Sequence, residues 1–141
     1  MSGSIFNRFN SFVADLANGV HNLGSNQLRV MLTNTAPVAT NGLRADITEI
    51  AAAGGYAAGG FAVTVTSSAQ AAGVYRLIAD DILVTPSAPG FGPFRYAVLY
   101  NDTAVNDPLI GWWDRGSSVS AAPPDNFVLD LSPTNGVFSI T

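Results

Sequence analysis

The chain has 141 residues, of which 48% are apolar and 11% charged, with six Arg against ten Asp and Glu for a net charge of −4. It has no Cys, which excludes disulfides and thiolate metal sites, and Arg8, Arg29, Arg44, Arg76, Arg95 and Arg115 are dispersed, which argues against the basic stripe that nucleic-acid binding needs. No apolar run reaches the roughly 18 residues of a membrane span, and MSGSIFNRFNSF lacks the basic-then-apolar pattern of a secretory signal, so the expectation is synthesis in a cytoplasm and no membrane partner.

In chain order, Ile5, Phe9, Phe12, Val13 and Leu16 recur at spacings of three and four, which predicts a helix with Ser4 as N-cap and Gly19 at its C-terminal end. Phe6 broadens the apolar face. This segment, within residues 1–24, is expected either to cover a sheet edge or to act as an arm on a neighbouring subunit. From residue 25 to 141 the period is two. Leu28, Val30 and Leu32 alternate with Arg29, Met31 and Thr33 as a half-buried strand. Asn34 to Gly42 reads as a loop, Leu43 to Ile50 as a weak strand or extended connection, and Ala51 to Gly60 as a flexible glycine-rich loop.

Phe61, Val63 and Val65 predict a strand, followed by a turn over Ser67 to Gly73. Val74 to Thr85 reads as one bent strand, or as two with a bulge at Asp80-Asp81. After the Pro/Gly loop Pro86 to Gly92, FRYAVLY (Phe94 to Tyr100) predicts a central strand. Leu109 to Trp113 predicts another, ended by a turn at Asp114 to Gly116, and strands at Phe127 to Leu131 and Val137 to Ile140 close the chain. Short strands at intervals of about ten residues predict one mainly β domain, a β-sandwich or jelly roll of about eight antiparallel strands with a short N-terminal helix or arm.

Few groups suggest chemistry. His21, the only histidine, lies just past a helix end with no GxSxG elbow in the chain, and reads as structural. Asn101, Asp102, Thr103, Asn106 and Asp107 make an oxygen-rich loop without EF-hand spacing, which ordinary turn chemistry explains better than calcium. Asp80 and Asp81 point to opposite faces of a strand and cannot act as a carboxylate pair. The pairs Gly54-Gly55 and Gly59-Gly60 lack the GxxxxGK[ST] pattern of a phosphate loop. No catalytic residue, metal or cofactor is therefore expected. Trp112-Trp113 places one indole on each face of its strand, so that the outward one is a candidate contact anchor unless a loop covers it.

A typical domain is about a quarter charged, and one of this size buries only about 70% of its unfolded surface. So apolar a chain is expected to be a component of an assembly. The segments ANGVHNLGSNQLRVMLTNTAPVATN, ADITEIAAAGGY and FRYAVLYNDTAVNDPLIGWWDRGSS resemble small virion structural proteins of tailed bacteriophages, and the resemblance covers most of the chain. It implies a capsid decoration (cement) protein, dimeric or trimeric, made in the host cytoplasm and clamping neighbouring major capsid subunits on the assembled head. Ile5, Phe6, Phe9, Phe12, Trp112 and Trp113 are the expected partner contacts. The competing expectations are a tail or fibre-base protein of the same particle, and a glycan-binding module using the tryptophans and the 101–107 loop.

Overall fold

The computed structural model describes residues 4–141. Ten strands in antiparallel sheets and one short helix are present among them, 45% strand and 7% helix, in a β-sandwich-like arrangement. The strands are β1 (Phe6–Arg8), β2 (Leu28–Thr33), β3 (Phe61–Ala62), β4 (Val65–Ala71), β5 (Val74–Ala79), β6 (Ile82–Val84), β7 (Phe91–Asn101), β8 (Leu109–Ala121), β9 (Phe127–Leu129) and β10 (Phe138–Ile140), with helix α1 at Ser11–Ala17. A five-stranded sheet has the order β1-β8-β7-β2-β3, a three-stranded sheet β10-β5-β4, and a two-stranded ribbon β6-β9.

The N-terminal expectation is corrected. Phe6–Arg8 is an edge strand in register with β8 (Phe6 opposite Trp113, Asn7 opposite Trp112), and the helix begins only at Ser11, with Asn10 rather than Ser4 before it. A seven-residue helix is marginal by itself. Here strand pairing and the burial of Phe9 and Phe12 decide the local structure over the helical spacing. Gly19 does stand at the helix exit with φ +75°. The segment is thus woven into the sandwich rather than held out as an arm.

Alternation along β2, β7 and β8 sends side chains to both faces of the large sheet. Val30, Leu32, Ala97, Leu99, Ile110 and Trp113 face the main core, where Leu77 and Ala79 of β5, Val84 of β6 and Leu129 of β9 meet them. Met31, Val98, Tyr100 and Leu109 face the other way and form a second core with Phe9 and Ile47, against which Trp112 packs. The β2 segment is therefore buried on both faces rather than half-buried, because Phe9 and Ile47 pack over its outer face. The accessible surface, 6964 Å2, is what a compact monomer of 14.6 kDa exposes, about 6,900 Å2.

Four further readings change, the first at Ser67 to Ala71, which belongs to β4 and is not a turn or loop, so that only Ala72 and Gly73 turn before β5. Leu43 to Ile50 holds a 3-10 turn at Arg44–Asp46 instead of a strand, although Thr33 and Glu49 form an isolated bridge. At Asp80-Asp81 the chain leaves the three-stranded sheet and enters the β6-β9 ribbon; Asp81 Oδ1 accepts the Leu131 N–H at 2.8 Å and anchors that crossing. The strand from Leu109 does not stop at Asp114. β8 runs on to Ala121 past a bulge, where β7 advances from Phe94 to Tyr96 while β8 covers Val119 back to Asp114. Gly116, at φ +96°, supplies the left-handed residue inside that bulge.

Candidate interaction surface

Most of the expected contact residues are used inside the chain. Phe9 is fully buried, 4.6 Å from the Trp112 ring. Phe12 is buried between His21 (5.2 Å) and Phe138 (5.6 Å), and Trp113 is buried with its edge against Phe6 at 5.1 Å. Phe6 and Trp112 are half-buried, and Phe6 also stacks on Phe138 at 5.4 Å. Ile5 is 79% exposed, and Phe6 and Trp112 keep part of their surface open. The outward Trp112 packs one side against Phe9 and keeps part of its surface open, whereas Trp113 is buried.

The oxygen-rich loop is a turn built around Asn101. Its Oδ1 accepts the N–H groups of Thr103 (3.0 Å) and Ala104 (3.2 Å), and Thr103 Oγ1 accepts the Gln27 N–H at 2.8 Å. With Oδ1 so occupied, the Asn101 amide nitrogen must face Asn26 Oδ1 (2.9 Å) and His21 Nδ1 (3.1 Å). His21 Nδ1 is then an acceptor and its proton sits on Nε2, which is buried with no hydrogen-bond partner. Burial holds His21 below its ordinary value of 6.5, with the Asp15 carboxylate opposing. His21 is therefore a buried neutral group bonded to an amide, with no nucleophile bonded to it among the described residues.

One polar network was not foreseen. Glu49, the only glutamate, binds Arg44 through Oε1 (3.1 Å) and accepts the Tyr56 hydroxyl (2.6 Å) and the Gly59 N–H (2.7 Å) through Oε2. Arg44 also pairs with Asp107 at 3.3 Å and lies over the Tyr100 ring. The Tyr56 hydroxyl accepts the Leu32 N–H at 3.0 Å, while Tyr100 and Arg29 donate to the Gly59 and Gly60 carbonyls. Burial first, and the Glu49 carboxylate second, push the Tyr56 hydroxyl far above its ordinary value, so it stays a donor. Burial opposes the Arg44 charge, but the two carboxylates outweigh it and raise Arg44 above its ordinary value. The network fastens residues 43–60 onto β2 where β3 ends. The loop expected to be flexible is thus hydrogen-bonded to the sheet edge through Tyr56, Gly59 and Gly60. The sequence signal was Glu49 itself, a single acid upstream of two glycine pairs.

What faces outward is sparse in charge and, among the described residues, marked by eight exposed large aliphatics. Val13, Val20, Val38, Leu43 and Val105 lie on α1, its exit and the loops 34–43 and 102–108. Those elements are tied by the Asn10 N–H to the Ala39 carbonyl (2.9 Å) and by the Leu43–Pro108 bridge. Leu83 and Val128, cross-strand partners in the β6-β9 ribbon, form the second group, and Ile5 immediately precedes β1. Beside Val128 is a cleft of about 440 Å3 between the end of β8 and β9, floored by Phe94, Val119, Phe127 and Leu129 and rimmed by Ser4, Arg115 and Asp125. No family model, curated protein or solved structure matches this chain.

Proposed function

We propose that this chain is a structural subunit of a tailed-bacteriophage particle, a decoration (cement) protein on the outer surface of the head. It binds the assembled shell, clamps neighbouring major capsid subunits and associates with copies of itself as a dimer or trimer. In this reading it is made in the host cytoplasm, performs no catalysis and needs no nucleic acid, membrane or cofactor.

The observation that carries the reading is the charge-poor exterior of an already compact domain, with its exposed aliphatics, Ile5 apart, in two groups. Two groups suit a subunit with two kinds of contact, one to the shell and one to its own kind. The three resembling segments supply the phage context, since composition does not distinguish one assembly from another. The mechanism is mass action. A folded domain that binds only the assembled shell stabilises it by its binding free energy, and many copies on a lattice add avidity.

The test is the position of the chain on intact particles by cryo-electron microscopy. Density repeated over the icosahedral lattice supports the reading. Density confined to the portal vertex or tail overturns it in favour of a tail or fibre-base protein. Signal on a glycan array with no particle density would move the chain out of the structural class.

A further inference from the structure

We infer that the cleft between β8 and β9 receives a second copy of this chain across a two-fold axis, with Arg115 of each copy set against Asp125 of the other. This places the self-contact of the proposed assembly and rests on that reading for its setting alone; the contact is testable without any particle.

The first support is chemical. Among the described residues β9 pairs with β6 alone, so its other edge presents backbone N–H and C=O groups without a strand partner there, beside an apolar floor. Such an edge is a template for another polypeptide, and proteins usually guard one with charge or proline. The three residues here, Phe127-Val128-Leu129, carry neither; Pro123, Pro124 and Asp125 before them and Asp130 after them limit any pairing to this short stretch. Next to it Leu83 (66% exposed) and Val128 (50%) form an uncovered cross-strand pair.

The second support is charge. Arg115 and Asp125 both line this one cleft, both are exposed, and neither forms an ion pair among the described residues. The Arg115 guanidinium donates to the backbone and hydroxyl of its neighbour Ser117. A two-fold contact is self-complementary: residue i meets j, and j meets i. One free cation and one free anion on a single rim satisfy that condition, whereas a partner of one charge sign would leave one of them opposed. A stable contact of ordinary size covers about 800 Å2 per subunit, near one ninth of the 6964 Å2 surface.

The test is analytical ultracentrifugation of the purified chain over a range of concentrations, with circular dichroism as the check on folding. The wild-type chain is expected to dimerise. Arg115→Glu and Asp125→Arg, both at exposed positions, are each expected to weaken the dimer about tenfold or more, and the double reversal to restore it. Val128→Asp is expected to abolish dimerisation at the free edge. A wild-type chain that stays monomeric overturns the inference. So do single reversals without effect, or a double variant no better than the singles; either would assign the cleft to another protein or to the chain's own N-terminal residues. Particle density on the lattice from a monomeric chain would sink this contact while sparing the decoration reading. A reversible dimer absent from the lattice would do the opposite.

Discussion

Tyr56 stands where a sheet partner for β2 would otherwise be. Its hydroxyl takes the Leu32 N–H and gives its own proton to Glu49, so one side chain satisfies a buried strand donor and a carboxylate together. Tyr56→Phe leaves that N–H unsatisfied and is expected to cost about 1–3 kcal/mol in urea unfolding. Tyr75→Phe removes only the exchange with the Ser68 hydroxyl and is expected to cost less than about 1 kcal/mol. Equal losses would mean that the Leu32 bond is not held by Tyr56. His21 makes the second residue-level case, and the sign follows from its depressed folded value. The unfolded chain takes up a proton near 6.5 and the native chain resists it, so the contribution is complete above 6.5 and shrinks as pH falls below that. Because this is the only histidine, His21→Gln is expected to flatten the stability profile from pH 8 down to about 5, where carboxylates begin to titrate. A profile that keeps its slope in the variant would assign the effect elsewhere.

At the scale of elements, β1 is the staple between the sheets. It pairs with β8 of the large sheet, while the Phe6 ring stacks on Phe138 of β10 in the small one. Phe6→Ala is expected to cost about 2 kcal/mol, below the range for a fully buried Phe. It should also speed amide exchange in β1 and β10 while leaving β2 protected. Uniform acceleration would show that β1 is no separate unit. This element also marks where reading the sequence fails. FRYAVLY and the Leu28–Thr33 alternation were legible because the strand period is local and strong. From Ile5 to Leu16 the helix is legible only over the second half, because a spacing of three and four is equally produced by a short strand, a turn and a helix all burying phenylalanines. What decides between them is the register with Trp112 and Trp113, more than a hundred residues away in the chain. Likewise nothing near Ala51 to Gly60 shows that Gly60 must lack a Cβ because Val30 and Met31 lie against it. The candidate site was legible only as a class, a charge-poor surface. Of the aromatics expected to carry it, Phe9, Phe12 and Trp113 are buried while Phe6 and Trp112 stay partly open, and the exposed aliphatics are scattered over α1, turns and short strands.

For the whole molecule the question is whether two cores make one cooperative unit. They share the same three strands: Val30 and Met31, Ala97 and Val98, and Trp113 and Trp112 point alternately into the main and the second core. Opening either core bares one face of β2, β7 and β8, whose pairing carries the other, so neither core can be lost alone. The adjacent tryptophans provide the probes. With Trp112→Phe, fluorescence reports the main core through Trp113; with Trp113→Phe, it reports the second core through Trp112. Monitored in either variant by fluorescence and by far-ultraviolet dichroism, denaturant unfolding is expected to give coincident curves with a common slope. A fluorescence change that precedes the dichroism change only in Trp113→Phe would mean that the Phe9–Ile47 cluster opens first. The Glu49 network would then be a latch on residues 43–60 rather than part of the global fold. Coincidence would instead tie those loops, and the aliphatics they present, to a single rigid surface, the form in which a subunit can dock repeatedly on a lattice without ordering cost.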